Sequence, residues 1–166
     1  MKNFYNFKIE NIKNLSLEEK NSRKKNLDLF FQNGFPNKKS EDWKFTDLNS
    51  ILEKNFNSIT NKDFTSGNKK LKLIEGFEHN FIFLVNGKLI SNNFDYEDKN
   101  KIFVKDYDHK DKIKLDRQNS LIFLNNALAT GGFTLEVSKN YKLIKPLIIY
   151  NYFSKNSLWI NKIIYN

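Results

Sequence analysis

Cysteine is absent from all 166 residues of the sequence. Without thiols the chain forms no disulfide and offers no thiolate ligand to a bound metal. Proline and glycine are also scarce, at two and six residues, so each one is informative about turns and helix ends. Chemistry that depends on cysteine is therefore excluded for this chain.

Long hydrophobic segments are missing as well. The longest apolar stretches are Phe81–Val85 and Pro146–Tyr150, far shorter than the roughly 20 residues that a membrane-spanning helix needs. The first fifteen residues, Met1–Leu15, are polar and lack the apolar core of a secretory signal. We expect no membrane association and a cytoplasmic location.

The formal net charge of +9 raises the question of nucleic-acid binding. Only two of the 28 basic residues are arginines, Arg23 and Arg117, although arginine is preferred for bidentate contacts to bases and phosphates. Acidic residues are interspersed throughout, with nine of each sign between residues 71 and 118. The pattern favours scattered, solvated lysines, and a small basic nucleic-acid-binding module is kept as the alternative function.

Helix signals occur in three places. Ser16 and Glu19 have capping-box spacing, which predicts a helix over about Leu17–Asn33 that ends at Gly34 and Pro36. Ser40 or Thr46 is expected to cap a second helical segment. Its core-facing stripe would consist of Leu48, Ile51, Leu52 and Phe56. A third helix is predicted from Asn119 to Thr130, capped by Gly131 and Gly132.

Strand signals begin with a β-hairpin. Its apolar first arm, Phe81–Val85, leads through Asn86 and Gly87 to a second arm, Lys88–Ile90, and Asn-Gly is typical of a type I′ turn. Because the first arm is apolar at every position, we expect it to be covered on both faces. Further short strands are predicted at Ile102–Val104, Phe133–Val137, Leu147–Tyr152 and Leu158–Tyr165.

Candidate chemical sites are few. The acidic group Asp106, Asp108, His109 and Asp111 lacks the glycine and the final glutamate of a calcium loop, because Arg117 stands at the twelfth position. His79 is isolated in the sequence, and a lone histidine is more often structural than catalytic. No nucleophile elbow, phosphate-binding loop or zinc-protease motif is present. We therefore expect neither a metal site nor an enzyme activity, and we interpret Trp43 and Phe45 as packing aromatics.

The segment from Asn33 to Leu48 resembles a signature near the start of SufD proteins, in the SufB/SufD family of iron–sulfur cluster assembly scaffolds. The resemblance rests on Gly34, Pro36, Glu41, Asp42, Trp43, Lys44 and Thr46. Phe35 and Phe45 are conservative departures from it. Three later segments match in the same order: Phe83–Lys88 with Asn86 and Gly87, Leu124–Gly132, and Lys145–Ile149.

The resemblance implies an α+β fold. Residues 1–130 would form a helical and β-hairpin N-terminal region, and residues 131–166 would begin a right-handed parallel β-helix that is incomplete in this chain. It also implies a non-catalytic scaffold whose partners are SufB and SufC, although the family's docking regions would lie mostly outside this chain. The iron–sulfur cluster would be handled by the wider complex, so the chain itself binds no cofactor. The motif residues are expected to be structural, and an uncovered C-terminal edge would favour self-association.

Overall fold

A computed structural model describes residues 5–55, 59–60, 70–108, 119–153 and 161–165. Within these ranges the chain forms three α-helices and eight short strands, which confirms the mixed α+β class. The strands are arranged in one two-stranded and two three-stranded sheets. The chain divides into two compact units, which are described separately.

The first unit comprises the described residues within Met1–Asp63 and Lys114–Ala129. Its helix α1 spans Leu17–Asn33, as predicted, and begins with a complete capping box. The Ser16 N–H donates to Glu19 Oε2 at 2.7 Å, and the Glu19 N–H donates to Ser16 Oγ at 3.2 Å. Gly34 follows with a φ of +67°, a conformation that favours glycine. Its N–H donates to the Phe30 carbonyl, which closes the helix.

The second helix, α2, spans Leu48–Asn55 and follows a 3-10 turn at Glu41–Trp43. The predicted caps are wrong, because it is Asp47 Oδ1 that accepts the Ser50 N–H at 3.0 Å. Leu52 of the predicted stripe is buried, whereas Ile51 is 46% exposed, and Phe56 lies outside the described residues. Leu48 is half-buried, so the described part of the stripe faces the core only in part.

Two short strands and a third helix complete this unit. Strand β1, Tyr5–Asn6, pairs in parallel with β2, Ile59–Thr60. Helix α3 spans Ser120–Leu128, and the side chain of Asn119 caps it by accepting the Ile122 N–H at 3.0 Å. The predicted glycine cap is wrong: the helix ends before Gly131, which belongs to the next strand.

The second unit comprises the described residues within Phe64–Ile113, Thr130–Lys155 and Trp159–Asn166. Strands β3, Asn80–Val85, and β4, Lys88–Asn93, form the predicted hairpin. Asn86 and Gly87 have φ values of 52° and 79°, as a type I′ turn requires. The prediction that the first arm is covered on both faces is confirmed, because Ile82, Phe83, Leu84 and Val85 are all buried.

The other strands of this unit add to two three-stranded sheets. Strand β5, Ile102–Asp106, pairs antiparallel with β6, Gly131–Val137. Strand β7, Leu147–Tyr152, lies parallel to β3, and β8, Asn161–Tyr165, lies parallel to β6. The sheet orders are β4-β3-β7 and β5-β6-β8. Residues 158–160 of the predicted last strand lie outside the described residues.

The core of the second unit is built from side chains of β3, β5 and β6, namely Ile82, Leu84, Ile102, Phe133 and Leu135. Leu147 and Ile149 of β7 pack against this core and are only partly buried. None of the described helices has the length and apolar character needed to cross a bilayer.

Candidate functional site

Glu97 is a buried carboxylate in the loop between β4 and β5, with 7% of its surface exposed. Its Oε1 accepts the Asn80 Nδ2–H at 2.7 Å and the Lys145 N–H at 3.0 Å. The Ile144 N–H is shared between both oxygens, at 2.9 and 3.0 Å. The Tyr141 hydroxyl donates to Oε2 at 2.8 Å. We call these five residues the Glu97 cluster.

Hydrogen bonding dominates the electrostatics of this carboxylate. Desolvation on burial raises the pKa of Glu97, but the N–H groups of Ile144 and Lys145, together with Asn80 and Tyr141, stabilise the ionised form. The balance lowers the pKa of Glu97 to about 2. Glu97 is therefore an anion that accepts hydrogen bonds throughout the physiological pH range.

Asn80 is fully buried although it begins an apolar strand. Its Nδ2 also donates to the Lys145 carbonyl at 2.9 Å, and its backbone N–H donates to the Pro146 carbonyl at 2.8 Å. Among the described side chains, its Oδ1 is the one buried polar atom without a hydrogen-bond partner. The residue is oriented to donate, and its own oxygen is left unsatisfied.

The side chain of Lys145 lies near the surface beside this cluster. Its Nζ is 2.7 Å from Glu78 Oε2 and 5.7 Å from the centre of the Tyr96 ring. The hydrogen bond and charge of Glu78 raise the pKa of Lys145. Lys145 thus contributes its backbone to the Glu97 cluster and its ammonium group to the surface.

His79 is buried next to the start of β3, with both ring nitrogens within hydrogen-bond distance of a partner. The Phe77 carbonyl, 3.1 Å from Nδ1, can only accept, so Nδ1 carries the proton. Tyr150 then donates its hydroxyl proton to Nε2 at 2.7 Å and accepts the Ile74 N–H at 2.9 Å. The ring of His79 thus links the loop before β3 to Tyr150 of β7.

The tryptophan motif forms a compact turn in the first unit. Glu41 and Asp42 are exposed, and Trp43 is half-buried at the end of the 3-10 turn. The Thr46 N–H donates to the Trp43 carbonyl at 2.8 Å, which folds the chain back before α2. Pro36 lies upstream of this turn and is half-buried.

The aromatic that follows the tryptophan does not pack as predicted. Phe45 is 90% exposed, and Lys44 places its Nζ 5.0 Å from the centre of the Phe45 ring. The prediction that Phe45 is a core or turn-packing residue is therefore wrong. Its only described ring contact is with the neighbouring lysine.

The hairpin motif meets the glycine pair that follows α3. A β-carbon built on Gly131 would lie 2.7 Å from the Gly87 carbonyl oxygen, so the two backbones approach too closely for a side chain at position 131. Two segments that carry the family resemblance are thus in direct contact within the second unit.

The acidic group is only partly described. Asp106 ends β5, and its Oδ1 accepts the Tyr107 N–H at 2.9 Å. Asp108 is exposed, while His109 and Asp111 lie outside the described residues. In the part of the chain that the structure describes, no three residues of the types that bind metals are grouped together.

Sequence reasoning missed two buried charged residues. Arg23 of α1 is 4% exposed and donates to the carbonyls of Ala127 and Ala129 at 2.7 and 2.9 Å, at the end of α3. An arginine within a lysine-rich helix is a weak signal for such a role. Glu97 had no local signal, because its donors lie 17 to 48 residues away in sequence.

The second unit is therefore a small framework of β-strands, in which the Glu97 cluster links the start of β3 to the segment that enters β7. A protein-family model described as the SufBD protein N-terminal region matches residues 1–101. This match covers more than half of the chain, and the chain belongs to the SufB/SufD family of the SUF iron–sulfur cluster assembly system. No curated protein matches the sequence.

Proposed function

We propose that the chain is a SufD-like, non-catalytic scaffold component of the SUF system that works in the cytoplasm with SufB and SufC. Family membership over residues 1–101 carries this proposal. The tryptophan motif around Trp43 favours the SufD branch over the SufB branch. The absence of cysteine supports a positioning role, because thiolates are the usual ligands of iron–sulfur clusters.

The strand connections support the start of a parallel β-helix. The three successive strands β6, β7 and β8 alternate between the two three-stranded sheets. Both β7 and β8 add in parallel to a strand that precedes them in the chain. A β-helix grows in this way, because each coil lays its strands beside those of the coil before. We propose that β6 to β8 are the opening strands of such an array.

The motif residues have a structural role in this proposal. Gly34, Asn86 and Gly87 have positive φ values, and Trp43 and Thr46 shape the turn before α2. These geometries set the course of the backbone at a helix end and at two turns. The chain would therefore act through its shape and its surfaces, and the chemistry would belong to its partners.

Co-expression with SufB and SufC tests the proposal. We expect the chain to co-purify with at least one of them, and the isolated chain to retain no stoichiometric cluster after anaerobic treatment with iron and sulfide and desalting. A stable cluster on the isolated chain would contradict the scaffold role. DNA affinity that falls steeply with salt, combined with no binding to either Suf protein, would favour the nucleic-acid alternative.

A further inference from the structure

The register of β7 against β3 is not fixed by hydrophobic burial alone. The pairing sets Phe81 opposite Ile148 and Ile82 opposite Ile149. A shift of β7 by two residues would leave the same β7 side chains facing the core, because side chains alternate with a period of two. Strand β3 is apolar from Phe81 to Val85, so it would accept the shifted strand with little loss of apolar contact.

The Glu97 cluster holds both strands at the point where their pairing begins. Glu97 accepts the N–H groups of Ile144 and Lys145, which lie just before β7. It also accepts a hydrogen bond from Asn80, the first residue of β3. Asn80 in turn binds the carbonyls of Lys145 and Pro146. A two-residue shift of β7 would break the bonds that Glu97 and Asn80 make to residues 144–146, while the bond between Asn80 and Glu97 would remain.

The orientation of Asn80 points to the same role. A fully buried amide in an apolar strand carries a desolvation cost, and its unsatisfied Oδ1 adds to that cost. An apolar residue at this position would avoid both costs but would donate to neither Glu97 nor Lys145. Buried polar groups of this kind can specify one alignment among several that burial would allow.

We propose that Glu97, with Asn80, is a register clamp that fixes the alignment at which β7 joins β3. Glu97 is a positioning residue that acts by holding the segment that enters the strand. This inference does not depend on any partner protein, so it can fail while the proposed function stands.

The absence of native cysteine allows a direct measurement of register. A Phe81→Cys/Ile148→Cys pair reports the observed alignment, because opposed residues on neighbouring strands lie within disulfide reach. A Phe83→Cys/Ile148→Cys pair reports a two-residue shift, since its α-carbons are about 8 Å apart in the observed alignment. Both pairs share the Ile148 substitution, which makes them comparable.

Glu97→Gln is the primary variant, because it keeps the side-chain volume and removes one of the two accepting oxygens. We expect disulfide formation in the shifted pair to rise about tenfold, the factor that corresponds to the loss of roughly one hydrogen bond. Amides of β7 should also exchange faster while those of the β3–β4 hairpin stay protected. Glu78→Gln is the matched control and should change neither, because Glu78 contacts only the Lys145 ammonium among these groups.

Asn80→Leu is the second variant, because it removes the amide while keeping the core filled. We expect Asn80→Leu to keep or gain thermal stability and to form the shifted disulfide faster. Replacing a residue that specifies alignment gives both results, whereas replacing a residue that only adds stability would lower the thermal stability. An unchanged rate for the shifted pair in both variants would overturn the proposal. So would loss of hairpin protection together with β7 protection in Glu97→Gln, which would make Glu97 a general stabilising residue.

Discussion

Gly131 lies against the carbonyl oxygen of Gly87, and a β-carbon at position 131 would come within 2.7 Å of that oxygen. The two residues have different reasons to be glycine. Gly87 has a φ of +79° in the hairpin turn. Gly131 has no room for a side chain, because the backbone of Gly87 faces it. The contact joins the β3–β4 turn to the first residue of β6.

Replacing Gly131 with alanine should therefore destabilise the protein. We expect Gly131→Ala to lower the free energy of unfolding by about 1–3 kcal/mol, since backbone atoms give way less readily than side chains. Urea denaturation followed by circular dichroism measures the change. Thr130→Ala is the control, because Thr130 is exposed and adjacent to Gly131. An equal loss of unfolding free energy in both variants would show that the close approach to Gly87 does not destabilise Gly131→Ala.

Glu97 should contribute stability that depends on pH. Its pKa is about 2 in the folded chain and near 4.5 in the unfolded chain, so the contribution is complete above pH 4.5 and is lost as the pH falls towards 2. The unfolding free energy of the parent should fall between pH 4.5 and pH 2. In Glu97→Gln this fall should be smaller by about 1–3 kcal/mol, a range that allows for partial solvent screening.

Denaturant titrations at several pH values between 2 and 7 measure this contribution. Glu136→Gln is the control, because Glu136 is a partly exposed carboxylate in an ion pair with Lys105. If parent and Glu97→Gln lose stability in parallel as the pH falls, the hydrogen bonds to Glu97 do not lower its pKa in solution.

Local signals in the sequence predicted local structure well. The bounds of α1 follow from Ser16 and Glu19, and the hairpin turn follows from Asn86 and Gly87, because each signal and its effect lie within a few residues. The same reasoning misassigned Gly131 as a helix cap. Its constraint comes from Gly87, which is distant in sequence, and the donors of Glu97 are equally distant. Contacts of this kind carry no periodic or spacing signal.

Arg23 should stabilise the end of α3 through its two buried hydrogen bonds. Arg23→Met keeps the apolar stem of the side chain but leaves the Ala127 and Ala129 carbonyls without these donors, and we expect it to cost about 2–4 kcal/mol. Lys24→Met is the control: among the described residues Lys24 pairs with Glu10 alone, at 3.6 Å on the surface, and such a pair is worth at most about 1 kcal/mol. Thermal unfolding of both variants decides the point, and equal melting temperatures would refute a role for the guanidinium.

The tryptophan motif places a half-buried ring, Trp43, and an exposed ring, Phe45, within three residues of each other. A fully buried tryptophan would lose about 3–5 kcal/mol on truncation to alanine, but Trp43 is only half-buried. We therefore expect Trp43→Ala to cost about 1–3 kcal/mol. Phe45→Ala should change stability by no more than about 0.5 kcal/mol, because the Phe45 ring is 90% exposed.

The two variants then distinguish what the motif does when SufB and SufC are present. If the motif only shapes the turn before α2, Trp43→Ala lowers the melting temperature, and Phe45→Ala matches the parent in both stability and co-purification. Loss of co-purification in Phe45→Ala at unchanged stability would instead make the exposed ring a partner contact, because an aromatic side chain contributes most when a partner removes it from water. An unchanged melting temperature in Trp43→Ala would show that the indole packs too loosely to hold the turn, against the packing role assigned to Trp43.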